Sequence, residues 1–223
     1  DIIDYNVDRI AHPARPLPMH HIPIAQAKIL LFVVFISIII LSFILNASAQ
    51  IYLFVFILPF LILYNFFFKK IPMLGNLIVA FLLSSVFIFT EIFLLSSWNN
   101  LLVPSILVFG LSFIRELIKD IQDYKGDKQY GIKTTAVLIG KKKTLYFTVV
   151  LILIFIFLSP LPYFIGYYQI NYLISLIILI EIPLIILVFL LLNNPPQLIL
   201  RRIVNVIKLM NLSGLLVLLI SHS

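Results

Sequence analysis

Two stretches of this 223-residue chain carry the same acidic pattern. Asp1, Asp4 and Asp8 in "DIIDYNVDRIAHPARP" and Asp120, Asp123 and Asp127 in "DIQDYKGD" share the spacing Asp-x2-Asp-x3-Asp. A helix advances about 100° per residue, so positions i, i+3 and i+7 fall within roughly 60° and each triad lines one helix face. Gly126 predicts that the second helix ends or bends there. Of nine acidic residues, seven sit in these two segments once Glu116 is counted.

Clustered carboxylates repel one another, and near a membrane they are costly unless something positive joins them. A hard divalent cation does so: carboxylate oxygens suit Mg²⁺, which keeps part of its water shell and bridges one or two carboxylates to a substrate phosphate. Arg9, Arg15, Arg115 and Lys119 flank the triads. Cations beside a metal site make sense if the remaining ligand is highly anionic, and a diphosphate meets that demand. For Arg15 and Arg115, membrane anchoring or support of the carboxylates is an equal alternative. A solvated helix cap accounts for either triad alone, but not for two of identical spacing on one side of a membrane.

The elements that must position these residues are membrane helices. The chain is 62% hydrophobic and 11% charged, with a mean hydropathy of +1.16, far from the balance of a soluble domain. Apolar runs at roughly 24–45, 50–68, 76–95, 100–118, 144–165, 171–192 and 201–221 each reach the ~20 residues a bilayer-spanning helix needs. Transmembrane strands are about half that length and alternate strictly. The expected class is therefore an all-α, polytopic bundle of about seven spans. There is no cysteine, so disulfides and thiolate metal sites are excluded.

With those spans, the connections holding 1–23, 69–75, 115–143 and 193–200 share one side. All 16 Lys and Arg residues fall on or near it, among them Lys141, Lys142, Lys143, Arg201 and Arg202. Positive-inside topology then puts the acidic motifs on the cytoplasmic face of a cell or inner membrane. The same rule accounts for the net charge of +7 without any nucleic-acid partner. In "LYNFFFKKIPMLGN", Tyr64, Asn65 and Lys69 lie at a helix end on the motif side. Lys69 and Tyr64 are candidate diphosphate contacts, with an ordinary interfacial belt as the alternative. Glu91 lies toward the opposite side, where a structural hydrogen bond is the expected role. Glu181 sits mid-span beside Pro183 without an evident role, and His12, His20 and His21 belong to an interfacial loop.

"DIIDYNVDRIAHPARPLP" together with "RELIKDIQDYKGDKQYGIKTTAVLIG" resembles the paired aspartate motifs of the UbiA-type intramembrane prenyltransferase superfamily. One departure is visible, since Thr134, Thr135 and Ala136 stand where relatives often read Thr-Leu-Pro. The resemblance implies a single membrane-embedded domain over 1–223 with nine helices around a central cavity in the complete fold. The first helix, most of the second and the Asn that leads the first motif are then expected to precede Asp1, so the 223 residues alone are expected to be poorly active. It also implies transfer of a prenyl group from an allylic prenyl diphosphate to an acceptor, with Mg²⁺ as cofactor and the lipid bilayer as surroundings. The site residues carried over are Asp1, Asp4, Asp8, Asp120, Asp123 and Asp127 for metal and catalysis, and Arg9, Arg15, Tyr64, Lys69, Arg115 and Lys119 for substrate.

Within that superfamily, "RELIKDIQDYKGDKQYGIKT" and "KKIPMLGN" are similar in wording to enzymes that add a second geranylgeranyl group to geranylgeranylglyceryl phosphate in ether-lipid synthesis. The alternative acceptor is an aromatic ring such as 4-hydroxybenzoate, in quinone or chlorophyll synthesis. A reading from another class is a cation transporter with acidic helix faces. Transport sites, however, lie near the bilayer midplane, whereas these triads sit at span ends among Arg and Lys, which repel a passing cation.

Overall fold

Every backbone N–H and C=O inside a bilayer has to be satisfied within the chain, which leaves helices as the solution for runs this apolar. The computed structural model describes residues 2, 3, 5, 8, 9, 13 and 15–221, and those residues form helices and no strand. In chain order they are α1 (Ile24–Ser42), α2 (Ala47–Phe66), a 3₁₀ turn at Phe68–Lys70, α3 (Leu74–Leu95), α4 (Leu102–Gln129), a short α5 (Thr135–Ile139), α6 (Lys141–Phe164), α7 (Ile170–Leu192) and α8 (Gln197–Ser221). Among the described residues the long helices number seven, as the apolar runs predict. Five of them, α1, α2, α3, α6 and α7, are long and apolar enough to cross a membrane. The other two are 28 and 25 residues long but carry Arg115, Glu116 and Lys119 on α4, and Arg201, Arg202 and Lys208 on α8.

Proline shapes the interiors of two helices. Pro59 and Pro183 have no N–H to return to the preceding turn, and just ahead of each the ladder widens to a π segment, Tyr52–Ile57 and Ile177–Glu181. There Leu58 N–H reaches Leu53 O and Ile182 N–H reaches Ile177 O, so the mismatch is taken up without an orphaned donor.

The helix with the acidic motif is also the hub. α4 packs against α3, α5, α6 and α8, while α7 closes on α6 and α8. Ile114, Ile118 and Ile121 of α4 pack in one buried cluster with Ile152, Leu184 and Ile203. A smaller cluster of Ala80, Phe113 and Leu117 joins α3 to α4. α1 behaves oppositely: its apolar side chains face outward, Phe32 for example being 65% exposed, as expected of a surface solvated by lipid.

Of the end or bend that Gly126 predicts, the end does not occur there, and α4 runs on to Gln129. Gly126 is tolerated because its carbonyl still accepts the last helical bond, from Tyr130 N–H at 3.0 Å. The stop comes at Gly131, whose φ of 70° lets Ile132 N–H turn back to Asp127 O at 2.8 Å.

Hydrogen bonds tie the end away from the motifs. Asn46 caps α2 by accepting from Ala49 N–H at 2.8 Å and donates to Ile92 O and Phe93 O at the end of α3. Glu91 is 1% exposed and accepts from the Ser97 hydroxyl, from the Asn100 amide and side chain, and from Leu101 N–H, at 2.7–2.9 Å. It thus fastens the α3–α4 link and takes up donors just ahead of α4. Glu181 accepts from the buried Ser159 hydroxyl at 3.1 Å, and Tyr172 donates to Ser159 O at 2.7 Å, which joins the end of α6 to α7. Glu91→Ala strands several of these donors at once, so it should destabilise the bundle by about 2 kcal/mol or more, read as a lowered melting temperature in detergent.

Candidate active site

At the other end of the bundle α4 carries an acidic face. Glu116, Asp120, Asp123 and Asp127 recur at helical spacing along its last turns. Glu116, 7% exposed, is held by two cations: Arg115 Nη1 lies 3.1 Å from Oε1 and Lys119 Nζ 3.5 Å from Oε2. Two of the predicted diphosphate contacts are therefore gathered on a buried carboxylate at the start of the motif. The Nε of Arg115 is buried without a hydrogen-bond partner among the described residues.

Asp120 is the junction of three elements. Its Oδ2 accepts from Asn76 Nδ2 at 2.8 Å and from Thr135 N–H at 3.1 Å, the first residue of α5. The Thr135 hydroxyl in turn accepts from Met73 N–H at 2.9 Å, and Asn76 Nδ2 lies 3.4 Å from it. Burial raises the Asp120 pKa above the ordinary carboxylate value, and the donors from Asn76 and Thr135 only partly offset it. The sequence marks Thr135 as a departure from the family pattern and gives neither it nor Asn76 a place in the site, although both lie inside the stretches that carry the resemblance. An Asn and a Thr in polar helix-end segments give no signal until the partner 44 or 15 residues away is known.

Asp123 is half-buried and accepts from Gln122 Nε2 at 3.1 Å. Asp127 is 7% exposed, and burial pushes its pKa up to about 6. The nearby Thr134 hydroxyl and Lys119 work against the rise, and the charges of Asp123 and Asp120 add to it. The Thr134 hydroxyl sits near the carboxylate without completing a well-formed hydrogen bond.

The first motif is described in part, with Asp1 and Asp4 outside the described residues. Asp8 is 3% exposed and bound by Arg15, whose Nη1 lies 2.7 Å from both carboxylate oxygens. Arg15 is thus placed as a support of Asp8. Arg9 is exposed, with its guanidinium 5.9 Å from the centre of the Tyr5 ring. Neither Asp8 nor Arg9 makes a hydrogen bond or ion pair with the second triad among the described residues. Tyr64 is half-buried on the last turn of α2, and Lys69 is exposed on the 3₁₀ turn that follows. That turn is pressed against α3: a Cβ on Gly75 would lie 3.2 Å from Phe68 O and 3.5 Å from Lys69 Cα.

No three acidic or histidine side chains among the described residues converge into a metal cage of their own. Mg²⁺ is commonly held by one or two carboxylates, water and substrate phosphates. Asp123 and Asp127 offer hard oxygen donors, and the charges of Asp123 and Asp120 add to the burial that raises the Asp127 pKa. Deeper in the bundle, a cavity of about 20 Å³ between α3, α4, α6, α7 and α8 is apolar apart from Asn211. It has room for a water molecule but not for a prenyl tail.

The UbiA prenyltransferase family model matches residues 1–213. The digeranylgeranylglyceryl phosphate synthase of Sulfurisphaera tokodaii is 39% identical over 183 residues, 80% of this chain and 64% of that protein. The enzyme of the same name from Saccharolobus solfataricus is 37% identical, over 82% of this chain and 64% of its own length. That of Methanocaldococcus jannaschii is 36% identical, over 87% and 68%. The chain thus spans a little under two thirds of the first two. A solved structure concerned with digeranylgeranylglyceryl phosphate synthase in membranes superposes with a TM-score of 0.72 at 33% identity, covering 99% of this chain and 78% of that one.

A raised carboxylate pKa has a definite sign in stability. Without a divalent cation, the folded chain holds the Asp127 proton more tightly than the unfolded one, whose ordinary value is about 3.8. Metal-free stability should therefore fall as pH rises from about 4 to about 6. Asp127→Asn should remove that fall and be at least as stable as the natural chain at pH 7, measured by thermal unfolding in EDTA across pH 4–8.

Proposed function

Because this chain belongs to the UbiA prenyltransferase family, we propose that it transfers a geranylgeranyl group from geranylgeranyl diphosphate to geranylgeranylglyceryl phosphate, with Mg²⁺, at the cytoplasmic face of the membrane. The observation that carries this reading is the acidic face of α4, ending in the buried Asp127 and flanked by Arg115 and Lys119. The acceptor follows from the relatives, which are digeranylgeranylglyceryl phosphate synthases.

Asp123 and Asp127, with Asp8 and the remaining first-motif carboxylates Asp1 and Asp4, would hold the metal, with Asp120 beside them. Bound there, Mg²⁺ supplies a Lewis acid for the charge that grows on the departing diphosphate. Lys119, Arg115, Lys69 and Arg9 add fixed positive charge from the protein side, and Tyr64 a hydroxyl. Such preorganised charge acts most strongly where water is kept out. The bond between the allylic carbon and the diphosphate oxygen breaks, and the allylic carbon joins the hydroxyl oxygen of the acceptor. The acceptor's proton leaves to a carboxylate of the acidic face. The apolar helix surfaces keep water from the allylic carbon until the acceptor attacks. Lys141, Lys142, Lys143, Arg201 and Arg202 are the basic residues offered to the acceptor phosphate.

The test is prenyl transfer by the protein expressed from its complete reading frame, in lipid nanodiscs with Mg²⁺ and radiolabelled geranylgeranyl diphosphate. Labelled ether lipid should form with geranylgeranylglyceryl phosphate, vanish with EDTA, and drop on the order of 100-fold or more in Asp123→Ala. Label appearing only on 4-hydroxybenzoate would keep the chemistry and replace the acceptor.

A further inference from the structure

The turn that opens α3 is built at a conformational cost. Met73 has φ 66° and ψ −44°, and Leu74 N–H bonds to Pro72 O at 2.8 Å across it. This is a γ-turn of the positive-φ kind, which is rare and strained for a residue with a side chain. Such a conformation persists only where its surroundings hold it. Here the Thr135 hydroxyl does, by accepting Met73 N–H at 2.9 Å from a different element.

Two things follow directly from that turn. Gly75 is set against the backbone of the Phe68–Lys70 turn, where a Cβ would have only 3.2 Å to Phe68 O. Asn76 is set against α4, where its amide donates to Asp120 Oδ2 at 2.8 Å. Thr135 completes the ring with its own N–H on that oxygen. One short stretch of chain therefore fixes the position of Lys69 and the orientation of Asp120 together. The hydrogen bonds from Asn76 and the Thr135 amide both fall on Oδ2, which leaves Oδ1 as the oxygen to offer a cation.

We infer that Asn76 is a positioning residue for the metal site: through Asp120, and through the strained turn it shares with Thr135 and Met73, it holds the acidic face of α4 in register with the Lys69 turn. This rests on the proposed reaction for the identity of Asp120 as a metal-site carboxylate. Outer partners that orient metal-binding carboxylates commonly change metal affinity or activity by 10- to 100-fold when removed.

The experiment measures metal directly as well as turnover. Binding of Mn²⁺ in the presence of inorganic pyrophosphate is followed by electron paramagnetic resonance on the nanodisc-embedded protein, and the half-saturating Mg²⁺ for prenyl transfer is determined in parallel. Asn76→Ala should weaken Mn²⁺ binding and raise the Mg²⁺ requirement by about tenfold or more. Asn76→Ser, which keeps a donor on a shorter side chain, should fall between, and it decides the matter if Asn76→Ala does not fold. Asn46→Ala provides the comparison, because it removes an equally well-bonded asparagine at the far end of the bundle. It should cost stability and leave Mn²⁺ binding unchanged. Folded Asn76 variants that bind Mn²⁺ within twofold of the natural protein would overturn the inference, whatever their stability. Absence of prenyl transfer by the natural protein would instead remove the proposed reaction, while the Mn²⁺ titration still judges Asn76.

Discussion

A carboxylate withdrawn from water must find donors or a cation, and both ends of this bundle are organised by that demand. Away from the motifs, Glu91 gathers the donors of the α3–α4 link. At the motif end, Asp120 gathers one donor from the start of α3 and one from the start of α5. Both sit where helices meet, since only there does a lipid-embedded chain have backbone N–H groups to spare. The apolar packing along α4 sets how close the helices come, and these bonds set how their ends are aligned.

The acidic face of α4 is one stripe in sequence but three environments in the fold. Glu116 is answered by Arg115 and Lys119, Asp120 by Asn76 and Thr135, and the face then runs on to Asp123 and Asp127. The last of these is buried with its proton held more tightly than usual. A gradient from answered to unanswered negative charge is what a site needs if its neutralising partner arrives from outside as a metal bound to an anionic substrate. Arg115 and Lys119 are drawn onto Glu116 and so bring positive charge to the start of the acidic face.

The strained turn at Met73 shows how local cost can be tied to the site. Left to its own preferences, "IPMLGN" would enter α3 without a positive φ at methionine. The Thr135 hydroxyl holds the turn, and with it the Lys69 turn is set against the start of α3 and Asn76 against the motif helix. Strain of this kind is consistent with a functional position and carries meaning here because named bonds depend on it.

Much of this protein was legible in the order of its residues. Apolar runs of membrane length gave helices, because a bilayer leaves the backbone no other way to satisfy itself. The acidic spacing put the second triad on one helix face, because helical periodicity is local. Charge asymmetry groups the ends of α3, α4 and α8 on one side, and the Gln197–Gln122 and Asn76–Asp120 bonds join those ends. What sequence could not determine is which polar group answers which. Gly126, where the sequence predicts an end or a bend, does not end α4, because a helix tolerates glycine when its carbonyl bonds persist. Support of Asp8 by Arg15, seven residues along the chain, is one of the two roles that the sequence itself offers. Asn76, Thr135 and Met73 joined Asp120 only once elements distant in sequence were packed side by side. Periodicity and hydropathy are properties of neighbouring residues and can be read along the chain. Hydrogen-bond partners separated by tens of residues are properties of packing, and tertiary structure alone decided them.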